Sequence, residues 1–158
     1  MAFVSEERLE HALEVAYRYL GRRDRTVAEV RQRLATEDVE PDVIEATVEE
    51  LERQGYLDDA RYAQRLAEDR RTIDAWGAER IERKLRAVGI DEALIAAALG
   101  DRGAADELEA AVAVLRRRFP QAPADDRGRD RALGLLVRKG YDLELAYDAV
   151  RAYERDAA

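Results

Sequence analysis

Residues 81–99 read IERKLRAVGIDEALIAAAL. Ile81, Leu85 and Val88 recur at helical spacing and make one apolar stripe. Gly89 suits the left-handed residue that ends a helix, and Ile90 can then fold back on the stripe. Asp91 stands where a carboxylate caps the next helix at its positive end. The stretch therefore reads helix, tight turn, helix. The same pattern occurs twice more without gaps, 51 residues apart: VRQRLATEDVEPDVIEATV at 30–48 and ALGLLVRKGYDLELAYDAV at 132–150. Leu34, Leu85 and Leu136 share a column, as do Val39, Ile90 and Tyr141. Asp38, Gly89 and Gly140 form the turn column; Glu40, Asp91 and Asp142 form the cap column. Val48, Leu99 and Val150 close the pattern.

Working outward, a further helix precedes each pair, at roughly 5–21, 59–74 and 104–118. Thr26-Val-Ala-Glu29 is a capping box that opens a helix, and Pro41 suits the first position of the next. Gly21, Gly55, Gly89, Gly100 and Gly140 fall where helices should stop. The expected fold is all-α: three tandem three-helix repeats over 1–58, 59–103 and 104–158. A unit of about 50 residues buries only a modest core alone, so the repeats are expected to stack into an elongated, curved array. The longest break, Pro120 to Gly128, reads as a mobile connector.

Composition agrees with helices. Ala, Leu, Glu and Arg dominate the 158 residues, with three prolines and no asparagine. With no cysteine, disulfides, thiolate metal sites and a cysteine nucleophile are excluded. The N-terminus MAFVSEERLE lacks the basic start and apolar core of a signal peptide, and no apolar run reaches a membrane span. A cytoplasmic protein is expected. Formal charge is −8, which argues against nucleic-acid binding by bulk attraction. The charge is uneven: residues 1–63 hold 9 basic and 16 acidic groups, whereas 114–141 hold 8 and 3.

The stretch GYLDDARYA at 55–63 contains paired aspartates. A metal or acid/base pair is one reading. Helix initiation is the other: Gly55 ends a helix, Tyr56 and Leu57 pack, Asp58 caps, and Asp59 meets the dipole. Neighbours in a helix do not face one another, and no His lies nearby, so capping is favoured. Ser5 and His11, the single serine and histidine, sit on different faces of the first helix without a nucleophile motif. GRRDRT at 21–26 lacks the spacing of a phosphate loop. No catalytic, cofactor-binding or metal-binding residue is assigned, and no enzyme is expected.

The basic residues are the candidate site. Of 27 cations 25 are arginine, whose planar fork matches phosphate and carboxylate. A GC-rich genome is the bland account of that excess. Arg70 and Arg71 end one helix; Arg80, Arg83 and Lys84 share a side of the next. Arg116, Arg117 and Arg118 end a third, followed by Arg127, Arg129, Arg131, Arg138 and Lys139. Helix dipoles account for Arg116 to Arg118 and for Arg138 and Lys139. They do not account for Arg127, Arg129 and Arg131, which precede or open a helix. A basic strip beside an acidic first repeat suits a partner carrying phosphates or acidic patches. Trp76 and Tyr17, Tyr19, Tyr56, Tyr62, Tyr147 and Tyr153 read as packing residues rather than base-stacking platforms.

The segment GYLDDARYAQRLAEDRRTIDAWGAERIERKLRAVGI at 55–90 resembles the RecX family, regulators of the RecA recombinase. The resemblance rests on Gly55 to Asp59, Arg61-Tyr62-Ala63, Gly77, Arg80-Ile81, Leu85 and Gly89-Ile90. ALEVAYRYLGRRDRTVAEVRQRL (12–34) and RKGYDLELAYDAV (138–150) are similar to the family's two ends, so the likeness covers nearly all of 12–153. It implies three repeats of three helices. It also implies a non-enzymatic protein that binds the RecA–single-stranded-DNA filament and restrains filament growth, ATP hydrolysis and strand exchange. The partners would be the filament and the DNA within it, and the acting species a monomer. The competing readings are a helix-turn-helix-like DNA-binding module independent of RecA, and a plain helical scaffold.

Overall fold

A computed structural model describes residues 3–158; Met1 and Ala2 of the first expected repeat lie outside the described residues. Among the described residues there are nine helices and no strand: α1 (Glu6–Leu20), α2 (Val27–Thr36), α3 (Pro41–Arg53), α4 (Asp59–Ile73), α5 (Ala78–Ala87), α6 (Glu92–Leu99), α7 (Ala104–Arg118), α8 (Asp126–Lys139) and α9 (Leu143–Asp156). The all-α repeat expected from the sequence is the fold observed. Helices α3, α6 and α9 begin at Pro41, Glu92 and Leu143, and α2 and α5 at Val27 and Ala78, each step 51 residues. No described helix is long and apolar enough to cross a membrane.

The turn column behaves as its chemistry requires. Asp38, Gly89 and Gly140 all have positive φ, at 60°, 85° and 99°. In each turn the apolar residue that follows donates its backbone N–H to the carbonyl of the leucine five residues earlier. These bonds are Val39 to Leu34 (3.1 Å), Ile90 to Leu85 (3.0 Å) and Tyr141 to Leu136 (3.0 Å). That bond uses one of the carbonyls a helix end leaves unpaired, and it sets the angle of the next helix. Leu34, Leu85 and Leu136 are all fully buried.

Two sequence expectations need correction. Glu40 was expected to cap α3, but its side chain makes no capping bond and instead pairs with Arg8 at 3.1 Å. A glutamate at the N-cap is one methylene too long to fold back on its own helix, whereas Asp142 in the same column accepts from Leu145 N. The connector after α7 is also shorter than expected. Asp125 accepts from Gly128 N at 2.8 Å and starts α8 at Asp126, inside the predicted break.

The chain forms two compact units. The first, Met1–Ala63 with Leu85–Leu94, has a core of Ala12, Ala16, Val30, Leu34, Val43, Val48 and Leu51, where α1, α2 and α3 pack on one another. The second, Gln64–Lys84 with Ile95–Ala158, has a core of Ala111, Leu115, Ala132, Leu136, Tyr141, Ala146, Ala149 and Val150 between α7, α8 and α9. The division runs through α4, α5 and α6. The first unit holds 10 basic and 18 acidic residues and the second 17 of each, so the net negative charge belongs to the first.

Candidate interaction surface

Several of the candidate cations sit at a structural joint. In the first unit the start of α2 meets the α5–α6 turn. The hydroxyl of buried Thr26 donates to the Val88 carbonyl at 2.6 Å, and Val27 N–H donates to Asp59 Oδ1 at 2.9 Å. In the second unit the start of α5 meets the α8–α9 turn: Gly77 N donates to Lys139 O at 2.8 Å and Glu79 N to Gly140 O at 2.9 Å. There Ala78 N–H donates to Glu107 Oε1 at 2.9 Å. Val27 and Ala78 are 51 apart, and each gives an otherwise unpaired helix-terminal N–H to a first-turn carboxylate of a later helix. The joint thus repeats with the sequence. It demands bare backbone: a Cβ on Gly140 would lie 2.2 Å from Arg80 Cβ.

The aspartate pair resolves accordingly. Asp58 Oδ1 accepts from Arg61 N at 3.0 Å and caps α4, as expected. Asp59 does more than meet a dipole, because it caps α2 across the joint. Burial pushes its carboxyl above the ordinary range, and the hydrogen bond from Val27 opposes that rise.

Around the second joint the cations are spoken for. Arg70 pairs with Asp74 at 2.7 Å and lies over Trp76, 5.3 Å from the ring centroid. Arg80 lies over the same ring at 4.1 Å and donates to the Arg138 carbonyl. Trp76 is half-buried and meets both guanidinium groups. Arg71 is only 13% exposed and binds Asp101 at 2.9 Å and the Leu99 carbonyl at 3.2 Å. The Lys139 ammonium donates to Asp74 O at 2.8 Å. Elsewhere Arg116 pairs with Asp156, and Arg129 pairs with both Glu154 and Asp126. The hydrogen bond that Arg129 donates to Glu154 holds its guanidinium above the usual pKa.

The others point outward. Arg83, Lys84, Arg117, Arg118, Arg127, Arg131 and Arg138 are exposed and form no ion pair among the described residues. Arg127, Arg131 and Arg138 follow positions i, i+4 and i+11 of α8, so they share one face. Gly134 lies between them on that face, and the Arg138 guanidinium folds back over it. Arg83 and Lys84 stand on the outer side of α5. Arg117 and Arg118 line a cleft with Lys139.

Sequence reasoning missed Glu107, Arg102 and the bond from Thr26 to the Val88 carbonyl. Glu107 is 9% exposed, accepts from Ala78 N and pairs with Arg102 at 3.3 Å. The matching residue in the first unit is Asp59, but α4 and α7 are out of phase with the 51-residue period, so no column aligned them. The tyrosines also divide differently from expectation. Tyr153 is buried and donates to the Phe119 carbonyl, whereas Tyr17, Tyr56 and Tyr147 are exposed. One outer position changes character. Arg86 and Glu92 form an exposed ion pair at 2.6 Å, and the residues 51 further on are Val137 and Leu143, exposed by 43% and 52%.

Residues 12–51 match the RecX first three-helix domain, and residues 58–99 the RecX second three-helix domain. A protein from Trichlorobacter lovleyi named Regulatory protein RecX is 38% identical over 135 residues, covering 82% of this chain and 87% of that one. Another of that name from Amycolatopsis mediterranei is 30% identical over 153 residues, covering 96% and 87%. The crystal structure of RecX from Lactobacillus salivarius superposes with a TM-score of 0.82 over 96% of this chain and 99% of that one, at 19% identity.

Proposed function

This chain belongs to the RecX family, and we propose that it is a regulator of the RecA recombinase. In this reading it binds the RecA–single-stranded-DNA filament as a monomer in the cytoplasm, without doing chemistry itself. It restrains filament growth, ATP hydrolysis and strand exchange, with inhibition as the expected sign. The segments 1–58, 59–103 and 104–158 act as its three helical repeats.

The observation that carries the reading is family similarity along nearly the whole chain, the Amycolatopsis relative aligning over 96% of it. The surface chemistry supports it. A protein of net charge −8 keeps a set of unpaired cations on α5, α7 and α8, within a unit whose own charges balance. Exposed arginines with no carboxylate partner retain their charge and fork for phosphate or carboxylate. Of the candidate residues, Arg83, Lys84, Arg117, Arg118, Arg127, Arg131 and Arg138 supply the contacts. Arg70, Arg71, Arg80 and Lys139 brace the joint behind them, and Arg116 and Arg129 contribute less because carboxylates already hold them.

The direct test is RecA ATP hydrolysis on single-stranded DNA with increasing amounts of this protein. A concentration-dependent fall is expected; an unchanged rate at excess protein would refute the reading. Sequence-dependent duplex binding without RecA, with a steep salt dependence, would instead identify a DNA-binding module.

A further inference from the structure

The end of α4, the C-terminal half of α7 and the end of α8 enclose a cleft of about 230 Å³ within the second unit. We propose that this cleft is a docking pocket for an acidic peptide segment carrying one large apolar side chain. The regulator reading does not require such a pocket, and the proposal does not depend on that reading.

Size sets the first constraint. Sites for drug-sized ligands run from about 300 to 1,000 Å³, so this cleft takes one large side chain rather than a whole small molecule. Its interior is aliphatic. Val114 is buried and Leu135 partly so, while Ile73 at the rim is 72% exposed. An aliphatic side chain left that open beside an apolar hollow is what an anchor residue from a partner would cover. No aromatic ring lines the wall, so a nucleobase has no platform on which to stack.

Charge sets the second constraint. Arg117, Arg118 and Lys139 stand on the wall. Neither arginine forms an ion pair, and the Lys139 ammonium spends one of its three hydrogens on the Asp74 carbonyl. The carboxylate of Asp74, also on the wall, is already held by Arg70 at 2.7 Å. The net demand is for carboxylates flanking an apolar group, the usual chemistry of acidic-motif recognition by arginine clusters.

The test uses the full chain and short fluorescein-labelled peptides of Asp and Glu around a central residue, read by fluorescence anisotropy. A peptide with central Leu should bind saturably. The same peptide with central Ala should bind about tenfold or more weakly, the value of burying one leucine side chain. Arg117→Glu should weaken both peptides, and Ile73→Ser should weaken only the Leu peptide. Both positions are exposed, so neither change threatens the fold. Equal binding of the Leu and Ala peptides, indifference to Arg117→Glu, or no saturable binding would each overturn the proposal. So would a thymidine oligonucleotide that binds while the peptides do not, since it would assign the cations to phosphate. No RecA is present in the assay, so its failure leaves the regulator reading intact.

Discussion

At the scale of single residues, glycine and aspartate do the most specific work. Gly55 and Gly140 both have positive φ, at 82° and 99°, but their surroundings differ. Nothing lies within 4 Å of a Cβ on Gly55, whereas one on Gly140 would meet Arg80 Cβ at 2.2 Å and Arg80 N at 2.6 Å. Gly55→Ala should therefore cost only the left-handed strain, about 1–2 kcal/mol. Gly140→Ala should cost about 3 kcal/mol or more, because it also forces the α5 start off the α8–α9 turn. Urea unfolding of the two variants checks the order. Asp59 gives a pH-dependent expectation. Its carboxyl lies above the ordinary range chiefly because burial disfavours the charge. The native state then binds more protons than the unfolded chain between the ordinary carboxylate pKa and the raised one, so this group's contribution to stability falls as pH rises through that window. Asp59→Asn keeps an acceptor for Val27 N without the charge. Its stability relative to the parent should rise from acid to neutral pH, read as the difference in Tm. Asp59→Ala should lose about 1–3 kcal/mol, most at acid pH, since Val27 N–H is left buried and unpaired. The left-handed column was readable from Gly89 and Gly140; the partner of Asp59, 32 residues away, was not.

At the scale of elements, helix ends matter more than helix interiors. The Thr26 capping box predicted from the sequence is present, with the Thr26 side chain accepting from Glu29 N and the Glu29 side chain from Thr26 N. Burial pushes the Glu29 carboxyl upward, but bonds from Arg23 and from Thr26 N outweigh it and leave the group below its ordinary pKa. The Thr26 hydroxyl also reaches Val88 O, so Thr26→Ala should cost about 2 kcal/mol, the upper end for a lost cap, with Ser restoring most of it. Glu107 performs the matching task at α5 and also balances mostly buried Arg102. Removing one partner of a buried pair strands the other, so Glu107→Ala should cost about 3 kcal/mol. Gln should recover the bond to Ala78 but not the charge. Guanidinium unfolding of the two variants separates these contributions. Helix α8 shows why element boundaries were harder to read than element existence. Its interior pattern was plain, but the Asp125 cap lay among prolines and charges that resemble a loop. The Val137 and Leu143 substitution of an outer ion pair was visible in the columns. That both side chains stay exposed required the packed helices.

At the scale of the whole molecule, the question is which charges remain available. The first unit carries the entire net −8 and the second is balanced, yet the second presents Arg117, Arg118, Arg127, Arg131 and Arg138 exposed and without ion pairs. Arg127→Glu, Arg131→Glu and Arg138→Glu together reverse one face of α8. The triple variant should weaken filament binding at least tenfold and flatten its salt dependence, measured by anisotropy on RecA-coated labelled DNA. Arg116→Glu with Arg129→Glu should do less, because Asp156, Asp126 and Glu154 already neutralise those groups. The sequence by itself determined the nine helices of the described residues, their 51-residue recurrence and the left-handed turns, because these depend on neighbours within a few residues. It also held the family likeness, carried by GYLDDARYA and the columns around it. Only the tertiary structure decided which cations are struts and which are free. Arg71 and Arg83 look alike in sequence, yet one is bound to Asp101 and Leu99 while the other faces solvent. A charged side chain takes its role from partners that are distant along the chain, and local pattern carries no record of them.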